Sequence, residues 1–217
     1  MKTADIHAAV RILEGEVKRW REPVVGVVAR QRDPFLILVS TVLSLRTKDK
    51  VTMEASERLF KLARTPQALR KLDARAIQQA IYPVCFYRVK ARSLKKISED
   101  LLTRFAGRVP DSIDELLTLQ GVGRKTANLV VTLGFGKPGI CVDIHVHRIS
   151  NRWGYVRTKT PEQTEAALRR KLPRKYWLIY NDLLVPYGQN LCAPVSPWCS
   201  RCKLTAYCER RGVGRSR

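Results

Sequence analysis

The sequence predicts an all-α protein, and three observations support this. Apolar residues in the first segment recur at spacings of four, three, four and three, which is the period of one helix face: Ile6, Val10, Leu13, Val17 and Trp20. Helix start signals recur along the rest of the chain. No alternating run of β-branched residues longer than a few positions interrupts them.

The start signals place the helices in order. Asp33-Pro34 is typical of an N-cap followed by a first helical residue, and it predicts an apolar helix over 34–46. Asp73 predicts the cap of a short helix that ends before Pro83. Further start signals are Thr65-Pro66, the capping box Ser112-Ile113-Asp114-Glu115, and the run Thr160-Pro161-Glu162-Gln163.

A long helix is predicted between Pro83 and the capping box that begins at Ser112. Its apolar face consists of Val89, Leu94, Ile97, Leu101 and Phe105. Gly107 is typical of a residue that ends such a helix.

The length of 217 residues suits one large domain or two small ones. The Gly/Pro-rich segment 134–139 is the best candidate for a crossing between two helical lobes. Two basic runs follow it, at 169–175 and 210–217, and we expect the second to be a frayed tail.

The charge balance indicates a polyanionic partner. The chain carries 41 Lys and Arg against 19 Asp and Glu, a formal net charge of +22, while 45% hydrophobic residues allow a real core. A folded domain tolerates such self-repulsion when its field meets a polyanion, most commonly nucleic acid. A ribosomal or acidic-lipid partner is the alternative.

Membrane and secreted classes are not indicated. The most apolar run, 35–45, is about half the ~20 residues that span a bilayer. The first residues lack the pattern of a signal peptide. We therefore expect a cytoplasmic location, nucleoid-associated if the source is prokaryotic, where disulfides are rare and clustered cysteines suggest a metal.

Four of the six cysteines form a C-x6-C-x2-C-x5-C run: Cys192, Cys199, Cys202 and Cys208. Four thiolates within so short a loop can surround tetrahedral zinc or a cubane iron–sulfur cluster, and the spacing separates these two only weakly. Cys85 and Cys141 lie among apolar residues and are interpreted as small core residues.

A second candidate site is the turn Gln120-Gly121-Val122-Gly123-Arg124 between two predicted helices. Glycines let the backbone turn sharply and let another molecule approach its N–H groups, which suits a phosphate. The turn is therefore either a helix–hairpin–helix that grips a DNA backbone or an ordinary αα turn with a glycine cap.

Lys125 begins the helix after this turn. The helix dipole and Arg124 both disfavour its protonated form, and a neutral amine is what a Schiff-base nucleophile requires. The plainer interpretation is a solvated lysine or one that contacts phosphate.

Asp143 opens another apparent helix. Its plain interpretation is an N-cap, and its functional one is a carboxylate that stabilises positive charge on a sugar. His145 and His147 cannot share one helix face, which argues against a histidine-pair metal site and favours phosphate or structural contacts.

Three segments follow one another along the chain: the glycine turn with Lys125, the segment that contains Asp143, and the four-cysteine run. In this order they resemble the endonuclease III family of DNA glycosylases. The matching runs are Leu-Gln-Gly-Val-Gly-Arg-Lys-Thr-Ala-Asn (119–128), Val-Asp-Ile-His (142–145), the four-cysteine run and, more loosely, 43–49. The resemblance implies two helical lobes with a DNA-binding cleft between them. One is a six-helix lobe over 27–137 with the helix–hairpin–helix; the other comprises 1–26 and 138–217 and holds a 4Fe-4S cluster in the loop 192–208.

The resemblance also implies a monomeric, bifunctional DNA glycosylase and AP lyase of base excision repair. Its partner would be double-stranded DNA containing an oxidised pyrimidine, such as thymine glycol, or an abasic site. Lys125 matches the family's nucleophile and Asp143 its catalytic carboxylate. The implied DNA contacts are Gln120, Gly121, Val122, Gly123, Arg124, Arg46, Phe86 and His145.

Three positions depart from the family pattern. Arg46 stands where many members have Gln in the loop that fills the gap left by the flipped base, and Phe86 stands where a wedge Leu is frequent. Gln120 replaces a common Pro. Opposite-base preference is therefore open, and the structural alternatives are that Arg46 ends a helix and that Phe86 packs in the core.

Two other functions remain possible from the sequence. An adenine-DNA glycosylase shares the scaffold and cluster, but that family has no Lys at position 125 and uses a glutamate where this chain has Thr41. A non-catalytic helix–hairpin–helix protein would need only the glycines and the charge, and it leaves the pairing of Lys125 with Asp143 unexplained.

Overall fold

The computed structural model describes residues 1–20, 27, 28, 30 and 32–217 of the chain. These residues contain helices and no strand, so the predicted all-α class is confirmed. The chain divides into two compact units, Val24–Lys137 and Met1–Pro23 with Pro138–Arg217. The bounds expected from the sequence differ only at 24–26, which lie outside the described residues.

Seven helices have defined bounds in the described part of the unit Val24–Lys137, and residues 27 and 28 are helical as well. The short helix before the Gly-Val-Gly turn is separate because Ser112 caps it and its side chain accepts a bond from the Glu115 N–H at 3.3 Å. The helices are α2 (Pro34–Ser44), α3 (Asp49–Leu62), α4 (Pro66–Lys71), α5 (Ala74–Ile81), α6 (Tyr87–Arg104), α7 (Ile113–Leu117) and α8 (Arg124–Leu129), and α8 runs on into a π-helical turn, Val130–Gly134.

Helix α2 is the centre of this unit. Every residue from Phe35 to Leu43 is buried, and the helix contacts α3, α6, α8 and the π-helical turn. Gly134 lies so close to α2 that an added Cβ would stand 3.3 Å from the Pro34 Cα. A helix that is apolar on all sides is stable only when surrounded in this way, which explains its sequence.

The other unit is built from α1 (Ile6–Val17), α9 (Ile144–Arg152), α10 (Pro161–Lys171) and α11 (Tyr180–Asn190). Helix α11 contacts both α1 and α9, and α9 also contacts α10. The largest fully buried side chains of the unit are Trp153, Tyr155, Tyr180 and Tyr187. Single 3₁₀ turns occupy Thr3–Asp5, Arg174–Tyr176, Cys199–Arg201 and Thr205–Tyr207.

Several expected details differ in the structure. Helix α2 ends at Ser44 rather than 46, because Leu45 leaves the helical region and Arg46 is left-handed with φ 55°. The predicted face of α6 is wrong at its start: Val89 is 51% exposed, whereas Lys90 is buried. Asp73 precedes α5, but its side chain makes no capping bond.

The C-terminal run is not a frayed tail. The Arg217 N–H donates to the Pro197 carbonyl at 2.8 Å, and the Ser200 N–H donates to the Arg217 carbonyl at 2.9 Å. The guanidinium of Arg217 lies 4.2 Å from the centre of the Trp198 ring, and that of Arg201 lies 4.5 Å from it. Cation–π contact with a tryptophan therefore anchors the segment.

Within the described ranges, no helix has the length and apolar character to cross a bilayer.

Asp33 and Asp73, which precede two helices of the unit Val24–Lys137, provide a matched test of capping. Asp33 Oδ1 accepts bonds from the Phe35 and Leu36 N–H groups at 2.9 and 3.2 Å, whereas Asp73 caps nothing. We expect Asp33→Ala to lower the free energy of unfolding by about 1 kcal/mol and Asp73→Ala by less than about 0.5 kcal/mol, measured by urea denaturation. Equal losses in the two variants would contradict this account.

Candidate functional site

The turn between α7 and α8 is a hairpin anchored by two buried side chains. Leu119 and Val122 are buried, and the Val122 N–H donates to the Leu119 carbonyl at 3.1 Å. Between and beyond them Gln120, Gly121 and Gly123 are exposed. The apolar anchors therefore present the polar backbone of the hairpin to solvent.

The two glycines of this hairpin differ in backbone conformation. Gly121 has φ +79°, a left-handed conformation that a side chain disfavours. Gly123 has φ −94°, which any residue can adopt, and a Cβ built there would meet nothing within 4 Å. Gly123 is the N-cap of α8, where glycine is a favoured residue, and the open space at this position lets another molecule approach the backbone.

Lys125 is the second residue of α8 and is exposed. The three residues after it, Thr126, Ala127 and Asn128, are buried, and the Asn128 side chain donates to the Arg124 carbonyl at 3.2 Å. The lysine thus extends from a first turn that is fixed from beneath, directly after the open Gly123.

Asp143 is the N-cap of α9, as its plain interpretation predicted. Its Oδ1 accepts bonds from the His145 and Val146 N–H groups at 2.8 and 2.9 Å, and the residue is only 6% exposed. Both capping bonds use one oxygen of the carboxylate. The cap therefore fixes the direction of the second oxygen, and it does not exclude a catalytic role.

The two histidines of α9 have separate surroundings. His145 Nδ1 lies 3.0 Å from Arg148 Nη2, which also donates to the Gly188 carbonyl at 3.1 Å. His147 Nδ1 lies 2.7 Å from Thr164 Oγ1, and burial lowers its pKa below the usual value. The histidines therefore serve different contacts, as the sequence indicated.

Arg46 and Phe86 occupy comparable positions on two neighbouring loops. Both are exposed, Phe86 to 58%, and both are left-handed, with φ 55° and 57°. A left-handed conformation costs an L-residue about 1–2 kcal/mol, and such strain clusters at functional sites. The alternative that Phe86 packs in the core is wrong, and Arg46 lies beyond the end of α2.

Sequence reasoning missed Lys90. It lies in the first turns of α6 and is 7% exposed, and its Nζ donates to the carbonyls of Leu43 and Leu45 at 2.8 and 2.6 Å. Its spacing of four residues from Leu94 placed it on the buried face of the helix. That spacing was the available signal, and the more apolar Val89 obscured it.

The four clustered cysteines are each partly buried, and Cys192, Cys202 and Cys208 pack against the core of the second unit. Cys208 interacts electrostatically with the other three, so the run brings its thiols near one another. Burial raises the pKa of the Cys192 and Cys208 thiols, and a hydrogen bond from Arg152 opposes this at Cys192.

Hydrogen-bond donors surround these sulfurs. Arg152 Nη1 donates to Cys192 Sγ at 3.4 Å, the Arg210 N–H donates to Cys208 Sγ at 3.3 Å, and Tyr187 Oη lies 2.9 Å from Cys202 Sγ. Arg152 also donates to the Ala193 carbonyl at 2.6 Å. Within the ranges the structure describes, no three His, Cys, Asp or Glu side chains are disposed to hold a single metal ion.

Comparison with known proteins gives consistent results. Residues 39–174 match the family model described as HhH-GPD superfamily base excision DNA repair protein. Endonuclease III of Thermotoga maritima is 49% identical over 191 residues, which is 87% of this chain and 90% of that protein. The chloroplastic endonuclease III homolog 2 of Arabidopsis thaliana is 43% identical over 80% of this chain, which spans only 47% of that longer protein.

A solved structure extends the likeness to the whole fold. The trapped covalent intermediate of an endonuclease III with DNA, an estranged-adenine complex, superposes with a TM-score of 0.86 at 32% identity and covers 97% of each chain. The chain belongs to the HhH-GPD superfamily of base excision repair proteins and, within it, to the endonuclease III family.

Proposed function

We propose that the protein is a bifunctional DNA glycosylase and AP lyase that excises oxidised pyrimidines from duplex DNA. The observation that carries the proposal is the exposed Lys125, two residues after the open Gly123 and directly before the buried residues 126–128. Family membership and the likeness to a trapped covalent DNA intermediate support the same reaction class.

The chemistry assigned to Lys125 is nucleophilic. The damaged nucleotide leaves the base stack, at a cost that is lower for a lesion than for an intact pair. The neutral Nζ attacks C1′ of the deoxyribose, and the C1′–N bond to the base breaks with its electron pair leaving on the base. The amine adduct loses a proton and the C1′–O4′ bond opens, with O4′ taking up a proton, which leaves an imine between Nζ and C1′. The imine acidifies the C2′ proton, so a base can remove it and the C3′–O bond breaks by β-elimination, its electron pair leaving on the phosphate oxygen. Water then hydrolyses the imine and regenerates Lys125.

Asp143 is assigned the carboxylate role in this reaction. Its negative charge favours the oxocarbenium-like sugar and assists proton removal from the lysine. The two capping bonds to the α9 backbone hold the group in one orientation. A positioned charge needs no reorganisation during the reaction, which is the source of its effect.

The remaining predicted contacts are assigned to DNA. The hairpin 120–124 would hold a phosphate through its exposed backbone, and His145, which lies beside Arg148, would make a separate contact with DNA. Arg46 and Phe86 would fill the gap that the extruded nucleotide leaves. The +22 charge supplies sequence-independent affinity, and we propose that the protein acts as a monomer on intracellular DNA.

The cysteine run is assigned a 4Fe-4S cluster with Cys192, Cys199, Cys202 and Cys208 as ligands. The chemistry of the donor set fits, because one short loop carries four thiols, Cys208 interacts electrostatically with the other three, and Cys192 and Cys208 accept bonds from Arg152 and the Arg210 N–H. When bound, the cluster would tie the loop together and take no part in cleavage. Lys203 of this loop pairs with the buried Glu16 at 2.8 Å, so the loop is also attached to α1.

Borohydride trapping tests the proposed reaction. With a thymine-glycol duplex, the wild type should form a reduced covalent adduct, and Lys125→Gln should form none because its side chain lacks the amine. Lys137→Gln, an exposed lysine of the same unit that pairs with Asp111 at 2.8 Å, is the control and should form adduct normally. Absence of adduct in the wild type would refute the proposed function.

The role of the Asp143 charge can be separated from its cap. Asn caps a helix as well as Asp does, so Asp143→Asn should change the free energy of unfolding by less than about 0.5 kcal/mol. It should slow single-turnover excision by about a hundredfold or more. Asp143→Ala should lose both. A wild-type excision rate in Asp143→Asn would show that Asp143 is only a cap.

Optical spectroscopy tests the cluster. The purified protein should be brown, with broad visible absorption and equal amounts of iron and acid-labile sulfide. Cys199→Ser should lose the colour, and Cys85→Ser, outside the run, should keep it. A colourless, zinc-containing protein would overturn the assignment.

A further inference from the structure

The ammonium of Lys90 has three acceptors, and they lie in the last turn of α2 and in the loop that follows it. Nζ donates to the carbonyls of Leu43 and Leu45 at 2.8 and 2.6 Å and to Thr47 Oγ1 at 3.2 Å. An ammonium has three N–H donors, so this set satisfies the group completely. The loop that it holds carries Arg46 between two of the acceptors.

A second link joins the same loop to the segment before α6. The Cys85 N–H donates to Thr47 Oγ1 at 3.2 Å, so one hydroxyl accepts bonds from Cys85 and from Lys90. These two residues flank Phe86, whose carbonyl also accepts the Lys90 N–H at 3.0 Å. The hydrogen bonds of Lys90 and Thr47 therefore involve the residues on both sides of Arg46 and the backbone at Cys85 and Phe86.

The backbone at both residues needs such support. Arg46 and Phe86 are each left-handed, and non-glycine residues keep that conformation only where their surroundings determine it. Burial lowers the pKa of Lys90 to about 8, because the charged amine loses its hydration there. The three oxygen acceptors offset part of that loss. An apolar side chain would fill the space and leave the Leu43 and Leu45 carbonyls without this donor.

We propose that Lys90 is a positioning residue that couples Arg46 and Phe86, so that the cation and the aromatic ring enter the duplex as one gap-filling unit. The inference rests on the proposed function insofar as that function gives the two residues a gap to fill. It assigns opposite-base preference to a pair with fixed mutual geometry. Arg46 alone does not determine that preference.

The helix itself offers a matched control. Lys95, also on α6, donates its Nζ to the Leu72 carbonyl at 2.8 Å, so Lys95→Met removes a comparable lysine-to-carbonyl bond elsewhere on the same helix. The variants to compare are Lys90→Met, Lys95→Met, Arg46→Ala and the double variant Lys90→Met/Arg46→Ala.

The first readout requires no catalysis. A duplex carries 2-aminopurine opposite a tetrahydrofuran abasic analogue, and its fluorescence reports whether protein groups fill the gap. The wild type and Lys95→Met should change the fluorescence alike, and Lys90→Met should lose most of that change at saturating protein. Equal signals from Lys90→Met and Lys95→Met would overturn the coupling, as would a wild type that gives no change.

The second readout is excision of thymine glycol opposite adenine or guanine. Lys90→Met should slow duplex excision by about tenfold and reduce the opposite-base ratio to that of Arg46→Ala, while cleavage of a single-stranded abasic site stays within about twofold. The double variant should be no slower than the slower single variant. Multiplying effects would show that the two residues act independently.

Two further results keep the inference separate from the proposed function. If the wild type fills the gap but cleaves no lesion, the proposed function is refuted. The coupling of Arg46 and Phe86 is then decided by the fluorescence of Lys90→Met against that of Lys95→Met. If Lys90→Met does not fold, Thr47→Val replaces it, because this change removes only the hydroxyl that Cys85 and Lys90 share. Thr47→Val should then lose the fluorescence change partly, and a full wild-type signal would overturn the proposal.

Discussion

The unit Val24–Lys137 depends on burying one helix completely and satisfying both of its ends. Helix α2 contributes an unbroken run of buried residues from Phe35 to Leu43, which removes all of its faces from water. The polar groups at its ends then need partners, because an unpaired buried N–H or carbonyl costs free energy. Asp33 supplies acceptors at the first turn and Lys90 supplies donors at the last.

The candidate DNA-contacting elements are arranged around this helix. Helix α8, which carries Lys125, contacts α2, and its π-helical continuation reaches the Pro34 end through Gly134. Helix α6 contacts both the loop that carries Arg46 and the hairpin. Lys90 donates to that loop. Ser93 lies beside the hairpin, because a Cβ added to Gly121 would stand 3.5 Å from the Ser93 hydroxyl. Hairpin and gap-filling loops therefore share one rigid base, which precise positioning of reacting groups requires.

The sequence correctly predicts helix starts whose signals lie in neighbouring residues. The Asp33-Pro34 start and the N-caps at Ser112 and Asp143 depend on neighbouring residues, and each cap is present as predicted. Of the capping box predicted at Ser112, the structure shows the bond from the Glu115 N–H, while the Glu115 carboxylate accepts from the Ser112 hydroxyl. The hairpin followed from its glycines, although only the structure separates the left-handed Gly121 from the open Gly123.

What the sequence could not supply are contacts between distant segments. Lys90 meets carbonyls more than 40 residues earlier in the chain, and no local pattern reports a buried lysine with three oxygen acceptors. The anchoring of Arg217 on Trp198 is likewise set by packing, so composition alone suggested a frayed tail. Asp73 had the residue type of a cap without the geometry.

The central claim is that the amine of Lys125, on the fixed first turn of α8, forms the covalent bond to DNA. Peptide mapping of the borohydride-reduced adduct by mass spectrometry tests it most directly. The account predicts that the sugar-derived mass is carried by Lys125, in the peptide that follows the Gly121-Val122-Gly123 hairpin. An adduct on another lysine or on the N-terminal amine, with Lys125 unmodified, would contradict it.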